Sequence, residues 1–281
     1  MRINKTAMNP VNAFKKLKRS NRLKNFRAHI PIHIEKKNFI VKTADSTEEL
    51  HRALKLRHDV FLTELIHKSK RSGMDRDKFD KLCDHLIIID KRTDTLIGTY
   101  RLQSSLHTHK WYTDMEFHMK RIKMLPGIKL ELGRACVHPE HRNGITIALL
   151  WEGISAYVEA SGTSYLFGCS SIKTMDKEEI KSIYYYLKQN GHLSHEYRVR
   201  PKAKYKVPGM MQFLKRHPDA TQQIDPQEMK DKIPSLLNSY LKVGAKVCGA
   251  PALDRAFKCV DFLTILDVSN LKRERVRKPR D

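Results

Sequence analysis

Residues 130–161 limit what this chain can fold into more than any other stretch. Residues 130–137 read as a strand, Pro139 ends it, and a turn containing Arg142 and Gly144 leads into a segment where Ile147, Leu150, Ile154 and Val158 recur at spacings of three and four. That period predicts an amphipathic helix over 146–161, closed by Gly162. A strand that turns directly into a helix start aims backbone N–H groups and the positive end of the helix dipole at one point. Such a point suits a phosphate.

The flanking sequence predicts how this unit is housed. Residues 38–42 (NFIVK) read as a strand, and Ser46 followed by Glu49 is a capping box that opens a helix over 47–65. Leu50, Leu54, Phe61 and Leu65 share one stripe of that helix, and Arg57 falls on the same stripe. A guanidinium there needs an anionic partner, or else snorkels at the core edge. Residues 86–90 and 96–102 predict a hairpin around Lys91-Arg92-Thr93-Asp94-Thr95. Residues 165–171 predict a strand, 234–243 a short helix, and 245–249 and 260–268 two closing strands.

The polar stretch 173–233 reads as an insertion or lid; within it Arg198, Arg200, Lys202, Lys204 and Lys206 alternate with other residues, so an extended chain presents five cations on one side. The element order predicts an α/β fold with a single mixed central sheet flanked by helices, spanning residues 38–270. Neither G-x-G-x-x-G nor G-x-x-x-x-G-K-[ST] occurs, which argues against nucleotide folds.

Charge narrows the partners. The chain has 54 Lys+Arg against 31 Asp+Glu, a formal net charge of +23, so an anionic partner is expected. Nucleic acid, anionic lipid headgroups and an acidic carrier protein all meet that expectation. Residues 1–37 carry eleven of the cations and one acid, Glu35, and read either as a solvated arm or as a membrane-surface segment; the tail 271–281 is basic again. No apolar run approaches the roughly 18 residues that a membrane span needs, and no apolar stretch of a signal peptide follows the basic start. Five cysteines without a C-x-x-C pair indicate neither a disulfide framework nor a zinc ribbon and point to a reducing compartment. A cytoplasmic protein, peripheral on the inner face of the membrane, is the expectation.

Four stretches then carry a family resemblance: Leu56-Arg57-His58-Asp59-Val60-Phe61, Phe79-Asp80-Lys81-Leu82-Cys83-Asp84-His85-Leu86, Gly98-Thr99-Tyr100-Arg101-Leu102 and Glu131-Leu132-Gly133-Arg134. Together they resemble the branch of the GNAT superfamily that holds acyl-homoserine-lactone synthases and, more closely, the L-ornithine Nα-acyltransferases of ornithine-lipid synthesis. The ending 246–254 and 261–267 resembles the same group, although the usual Arg/Gln-x-x-Gly-x-Gly/Ala spacing of the pantetheine motif is not kept. The resemblance implies a GNAT-like fold and an acyl carrier protein that donates a (3-hydroxy)fatty acyl group. It further implies direct transfer to the α-amine of L-ornithine without an acyl-enzyme, giving lyso-ornithine lipid, with no bound cofactor and a separate O-acyltransferase completing the lipid. Glycine or lysine as acceptor, or acyl-CoA as donor, are the alternatives. A nucleic-acid-binding protein is the rival from another class, but no reading motif occurs and the cations are interleaved with few aromatics.

On that resemblance Glu131 and Arg134 are the expected catalytic residues. Glu131 is either the base for the acceptor amine or an ion-pair partner of Arg57, Arg101 or Arg134. Strict alternation puts Glu131 and Arg134 on opposite faces, so joint action requires a bulge. Arg57, Arg101 and Arg134 are expected to clamp the acceptor carboxylate, with pairing to Asp80, Asp84 or Glu131 as their structural role. Phe61 is placed beside the substrate, and Asp84 is expected to hold the acceptor's cationic side chain. Val137, Arg142, Asn143, Gly144 and Thr146 are expected around the donor phosphopantetheine. Cys169 reads as a buried thiol rather than a nucleophile. No metal site is expected, because His107-x-His109 and His192-x-x-His195 lack a third ligand at recognisable spacing.

Overall fold

The structure is a computed structural model that describes residues 25–216 and 226–271. It opens with β1 (His33–Glu35) and β2 (Phe39–Thr43), followed by α1 (Thr47–Arg57). Ser46 caps α1 as the sequence predicts: its Oγ accepts the N–H of Glu49 at 3.1 Å, and Glu49 reaches back to the N–H of Asp45 at 2.7 Å. The helix predicted over 47–65 changes pitch halfway. From His58 to Glu64 it widens into a π-helix, with Leu65 N–H on the Val60 carbonyl.

The hairpin comes next, as β3 (Asp84–Asp90) and β4 (Thr95–Ser104), then α2 (Lys120–Lys123), β5 (Ile128–Val137), α3 (Gly144–Ser161) and β6 (Thr163–Ile172). Four helices follow: α4 (Lys177–Gln189), α5 (Met210–Arg216), α6 (Pro226–Lys232) and α7 (Ser235–Lys242). Finally β7 (Lys246–Val247), β8 (Ala252–Asp254) and β9 (Cys259–Asp267) complete one sheet. Its order is β1-β2-β3-β4-β5-β6-β9-β7, with β8 on β9. Only the central pair β5–β6 is parallel.

Strand alternation divides the core. Leu86 and Ile88 of β3 point to the α3 side, packing with Leu150, Ile154 and Tyr157, while Ile87 and Ile89 point to the α1 side with Leu50 and Leu54. Full burial of each such side chain is worth roughly 1.5–3 kcal/mol. The buried face of α3 is centred on Thr146, Leu150, Gly153 and Tyr157, rotated slightly from the predicted stripe, and Ile147 and Val158 sit at its edge. Gly153 sets how close α3 lies: a Cβ there would stand 2.8 Å from Val41 and Leu86. Asn143 caps the start of α3, and Gly162 ends it at φ 64°.

Two boundaries differ from the sequence reading. Residues 25–35 are not part of a detached arm, because β1 pairs with β2, Phe26 is buried, and the N–H groups of His29 and Ile30 both bind the Asp84 carboxylate. Residues 1–24 and 272–281 lie outside the described residues. The stretch 173–233 is no loose insertion either. Ile180, Ile183 and Leu187 of α4 recur at helical spacing and build a second core with Met210, Leu237, Val260 and Phe262. Its polar faces disguised that packing. Of the expected cation run, Arg198, Arg200, Lys204 and Lys206 are exposed, but the Lys202 ammonium is drawn in to the Asp114 carbonyl.

Candidate functional site

The central parallel pair is the origin of the site. β5 and β6 are paired only over Ile128–Glu131 and Thr163–Phe167; beyond that β5 stays with β4, and β6 stays with β9. Gly168 stands at the point of divergence, where a Cβ would come within 2.2 Å of the Leu132 carbonyl oxygen. Past it the strands diverge around a cleft of about 280 Å³, with Gly133, Arg134 and Ala135 on one lip and Cys169, Ser170 and Ser171 on the other.

The bulge that joint action of Glu131 and Arg134 requires is present. Gly133 lies opposite Arg101 and Cys136 opposite Thr99, so Arg134 and Ala135 together face Tyr100. Arg134 takes up the extra residue with φ 51°, a left-handed conformation that costs a non-glycine residue about 1–2 kcal/mol. Glu131 and Arg134 consequently line the same cleft.

The cleft has unlike walls. Phe61 and Leu65, carried there by the π-helical segment, form an apolar side with Tyr100, Leu132 and α7 residues Leu236, Leu237 and Tyr240. The polar side is cationic at one end. Arg134 lies between the rings of Tyr112 and Phe257, at 4.7 and 5.1 Å, and its Nε is buried without a hydrogen-bond partner among the described residues. Asp75 and Asp77 flank it at 3.5 and 3.7 Å. Arg101 donates to Asp77 at 2.7 Å. Burial alone would raise the Asp77 carboxyl, but Arg101 and Arg134 outweigh it and hold it at about 2.

Glu131 is buried, and both its oxygens accept backbone N–H groups, from Tyr112 at 2.8 Å and Thr113 at 2.7 Å. Burial raises its pKa, against the pull of those bonds and of Arg101.

The β8–β9 side is acidic. Asp254, Cys259 and Asp261 line the cleft, and a ligand atom of each lies within 4.8 Å of the others, a group able to hold a cation. Behind them is the buried Glu116. Burial, then the neighbouring Asp261 and Asp254, push its carboxyl up to about 9. The half-buried Cys169 thiol is also pushed well up by burial and these acids, so it carries no reactive thiolate.

Several expected site residues lie elsewhere. Arg57 is fully buried outside the cleft, bound to Asp80 at 2.6 Å and Asp75 at 3.0 Å; the anionic partner its stripe required is internal. Asp84 does not reach the cleft. Its oxygens are taken by His29, Ile30 and the Tyr157 hydroxyl, and those bonds outweigh burial to hold its pKa low. His85 beside it is buried and pushed down to about 4, which keeps the ring neutral.

Val137, Arg142, Asn143, Gly144 and Thr146 gather at the start of α3. There Arg142 holds Glu64 through two 2.6 Å bonds, and Asn143 occupies the Thr146 N–H. Lys173, on the other lip, is exposed and felt by the same Glu64 carboxyl. Tyr112, Lys173, Asp254, Phe257 and Asp261 were missed as site residues. The stretch holding Asp254 and Asp261 resembled the family, but no spacing ties it to Glu116.

A family model described as an acetyltransferase (GNAT) domain matches residues 56–152. An L-ornithine N(alpha)-acyltransferase from Rhodobacter capsulatus is 30% identical over 244 residues, covering 82% of this chain and 90% of that protein. Another from Rhizobium meliloti is 30% identical over 250 residues, covering 83% and 81%. Among solved structures, an N-acyl amino acid synthase from uncultured soil microbes spans 84% of this chain and 94% of that one, at 9% identity and a TM-score of 0.47.

Proposed function

Because the chain belongs to the L-ornithine Nα-acyltransferase family and is an acyltransferase, we propose that it moves a fatty acyl group from the thioester of acyl carrier protein to the α-amine of L-ornithine, giving a lyso-ornithine lipid. The observation that carries this reading is the cleft between the diverging strands β5 and β6, apolar on one wall and charged on the other. An acyl chain suits the Phe61–Leu65–Leu237–Tyr240 side, and an amino-acid carboxylate suits Arg134, whose planar fork lines the cleft and is stacked in place between Tyr112 and Phe257.

Transfer is direct. Among the described residues no histidine lines the cleft to activate a serine or thiol, and Cys169 is held protonated. Glu131, with its raised pKa, takes a proton from the α-ammonium, and the free amine attacks the thioester carbonyl. The Arg134–Val137 lip of β5 offers N–H groups to the developing oxyanion. As the C–S bond breaks, the nitrogen gives its second proton to the leaving thiolate. The donor's phosphate meets the start of α3, Arg142 and Lys173, with the Glu64 pairing of Arg142 exchanged for the phosphate.

The net charge of +23 favours an acidic carrier over free CoA. The same charge supports attraction to an anionic membrane surface; no helix among the described residues is long and apolar enough to cross a bilayer. The test is turnover of the purified full chain with ornithine and either acyl carrier protein or CoA thioester, read by mass spectrometry. Acylornithine formed preferentially from the carrier is expected, with an apparent affinity that falls as salt screens exposed charge over about 8 Å. Equal use of CoA overturns the carrier, and absence of acylornithine overturns the acceptor.

A further inference from the structure

Three carboxyl groups converge on the β8–β9 side of the cleft, and the reaction described above uses none of them. Glu116 is 1% exposed and Asp261 3%, and these two carboxyls lie close enough to share a proton. Glu116 Oε1 has no hydrogen-bond partner, and its other oxygen meets only the weak Cys169 thiol at 3.7 Å. Among the described residues no lysine or arginine forms an ion pair with Glu116, Asp254 or Asp261. Asp261 accepts the Ser171 hydroxyl and Asp254 the Ala256 and Phe257 N–H groups, but neutral donors do not neutralise charge. Facing buried carboxylates require either a proton or a cation between them, because two like charges cannot both be carried in an apolar setting. Asp254 and Asp261 line the cleft, so a cation can reach them from the substrate side.

We propose that the Glu116–Asp254–Asp261 cluster is the side-chain pocket of the acceptor, receiving the distal ammonium of a diamino acid while Arg134 receives its carboxylate. It rests on ornithine being the acceptor. The two charged ends then orient the molecule, with its α-nitrogen between them, at the lips of β5 and β6. The acid pocket also protects. An amine held as ammonium has no lone pair, so the distal nitrogen is bound in the form that cannot attack the thioester. Selectivity for the α-nitrogen follows from charge rather than reach.

The decisive experiment compares ornithine with norvaline, which has the same carbon chain but no distal amine, and determines which nitrogen of ornithine is acylated. The wild-type chain is expected to prefer ornithine by about 10²-fold in kcat/KM, since losing one partner of a buried charge pair is costly, and to yield only the Nα product. Asp261→Asn and Asp254→Asn retain an oxygen for the Ser171 hydroxyl and for the Ala256 and Phe257 N–H groups, so local structure is kept. Each is expected to shrink the ornithine-to-norvaline ratio at least about tenfold through a raised ornithine KM, and to let Nδ-acylated product appear.

A ratio and regiochemistry unchanged in folded variants overturn the pocket while leaving ornithine acylation standing. If a variant fails to fold, the wild-type comparison decides: equal kcat/KM for ornithine and norvaline overturns the proposal. Failure of the wild type to acylate ornithine removes the acceptor itself, a different result. One equivalent of zinc or magnesium bound by the native chain and lost in both variants also overturns it, assigning the cluster to a metal.

Discussion

Two groups of buried charge sit in this molecule, one balanced and one not. Around α1 and the β4–β5 pair, Arg57, Arg101 and Arg134 are interleaved with Asp75, Asp77 and Asp80, and nearly every guanidinium edge has a carboxylate. On the β8–β9 side, Glu116, Asp254 and Asp261 face one another with no ion-paired lysine or arginine among the described residues. Buried charge that is matched internally fixes structure, whereas buried charge that is not matched stores a demand for something from outside. Arg134 belongs to the first group by its contacts with Asp75 and Asp77, yet it lines the cleft and is among the charges that Asp261 feels.

Substitutions can break or sharpen that contrast. The largest effect is expected at Glu131, where Glu131→Gln keeps the acceptors for the Tyr112 and Thr113 N–H groups partly intact but removes the proton acceptor. Turnover should fall about 10²–10⁴-fold with melting temperature near normal; a drop in melting temperature with normal turnover per folded molecule would return Glu131 to a purely structural role. Arg57→Ala should follow, costing about 3–5 kcal/mol in urea unfolding, because the buried Asp75 and Asp80 lose their shortest charged bonds and keep only the longer contacts to Arg134, Lys70 and Arg101. A cost under about 1 kcal/mol, the level of a surface ion pair, would show that the balanced group is not what holds the α1 side together.

Arg134→Lys keeps the charge and loses the fork, so the acceptor KM should rise about tenfold with kcat held. Loss of kcat alone would instead place Arg134 in the transition state. The smallest effect concerns pH. Glu116 has a folded-state pKa raised to about 9 by burial and by Asp261 and Asp254, while Arg134 moderates Asp261. A raised carboxyl contributes stability that is complete below the ordinary carboxylate range and is lost as pH rises through the folded value. Glu116→Gln should therefore gain melting temperature over the wild type progressively between pH 5 and pH 9. A constant difference across that interval would mean that Glu116 does not carry the shared proton.

Much of this was legible in the sequence, because periodicity and capping are local. The Ser46 cap, the β3–β4 hairpin, and the strand, turn and helix at 128–161 are all where spacing puts them. Arg57 was legible as a cation in need of an anionic partner, and Asp80 was among the partners the sequence offered; Asp75 was not, since it lies 18 residues away in a segment without regular structure. The need for a bulge at Arg134 followed from strand alternation alone. Asp84 misled because a carboxylate beside a strand start looks available, and only the fold shows the residues 29–30 backbone covering it. The acid cluster was invisible for a related reason. Glu116 and Asp261 meet only when the loop before α2 packs against β9, a contact no sequence period encodes.

Mechanically, a sheet whose middle pair is joined over four residue pairs and then parts is a notched plate. Load applied to either edge of a notch concentrates at its tip, and here the tip is the van der Waals contact of Gly168 with the Leu132 carbonyl. If the acyl group binds between the edges as proposed, it would bend the two half-sheets about that contact rather than deform either one. A methyl group added at Gly168 would act as a permanent wedge, spreading Arg134 from Ser170 without touching either.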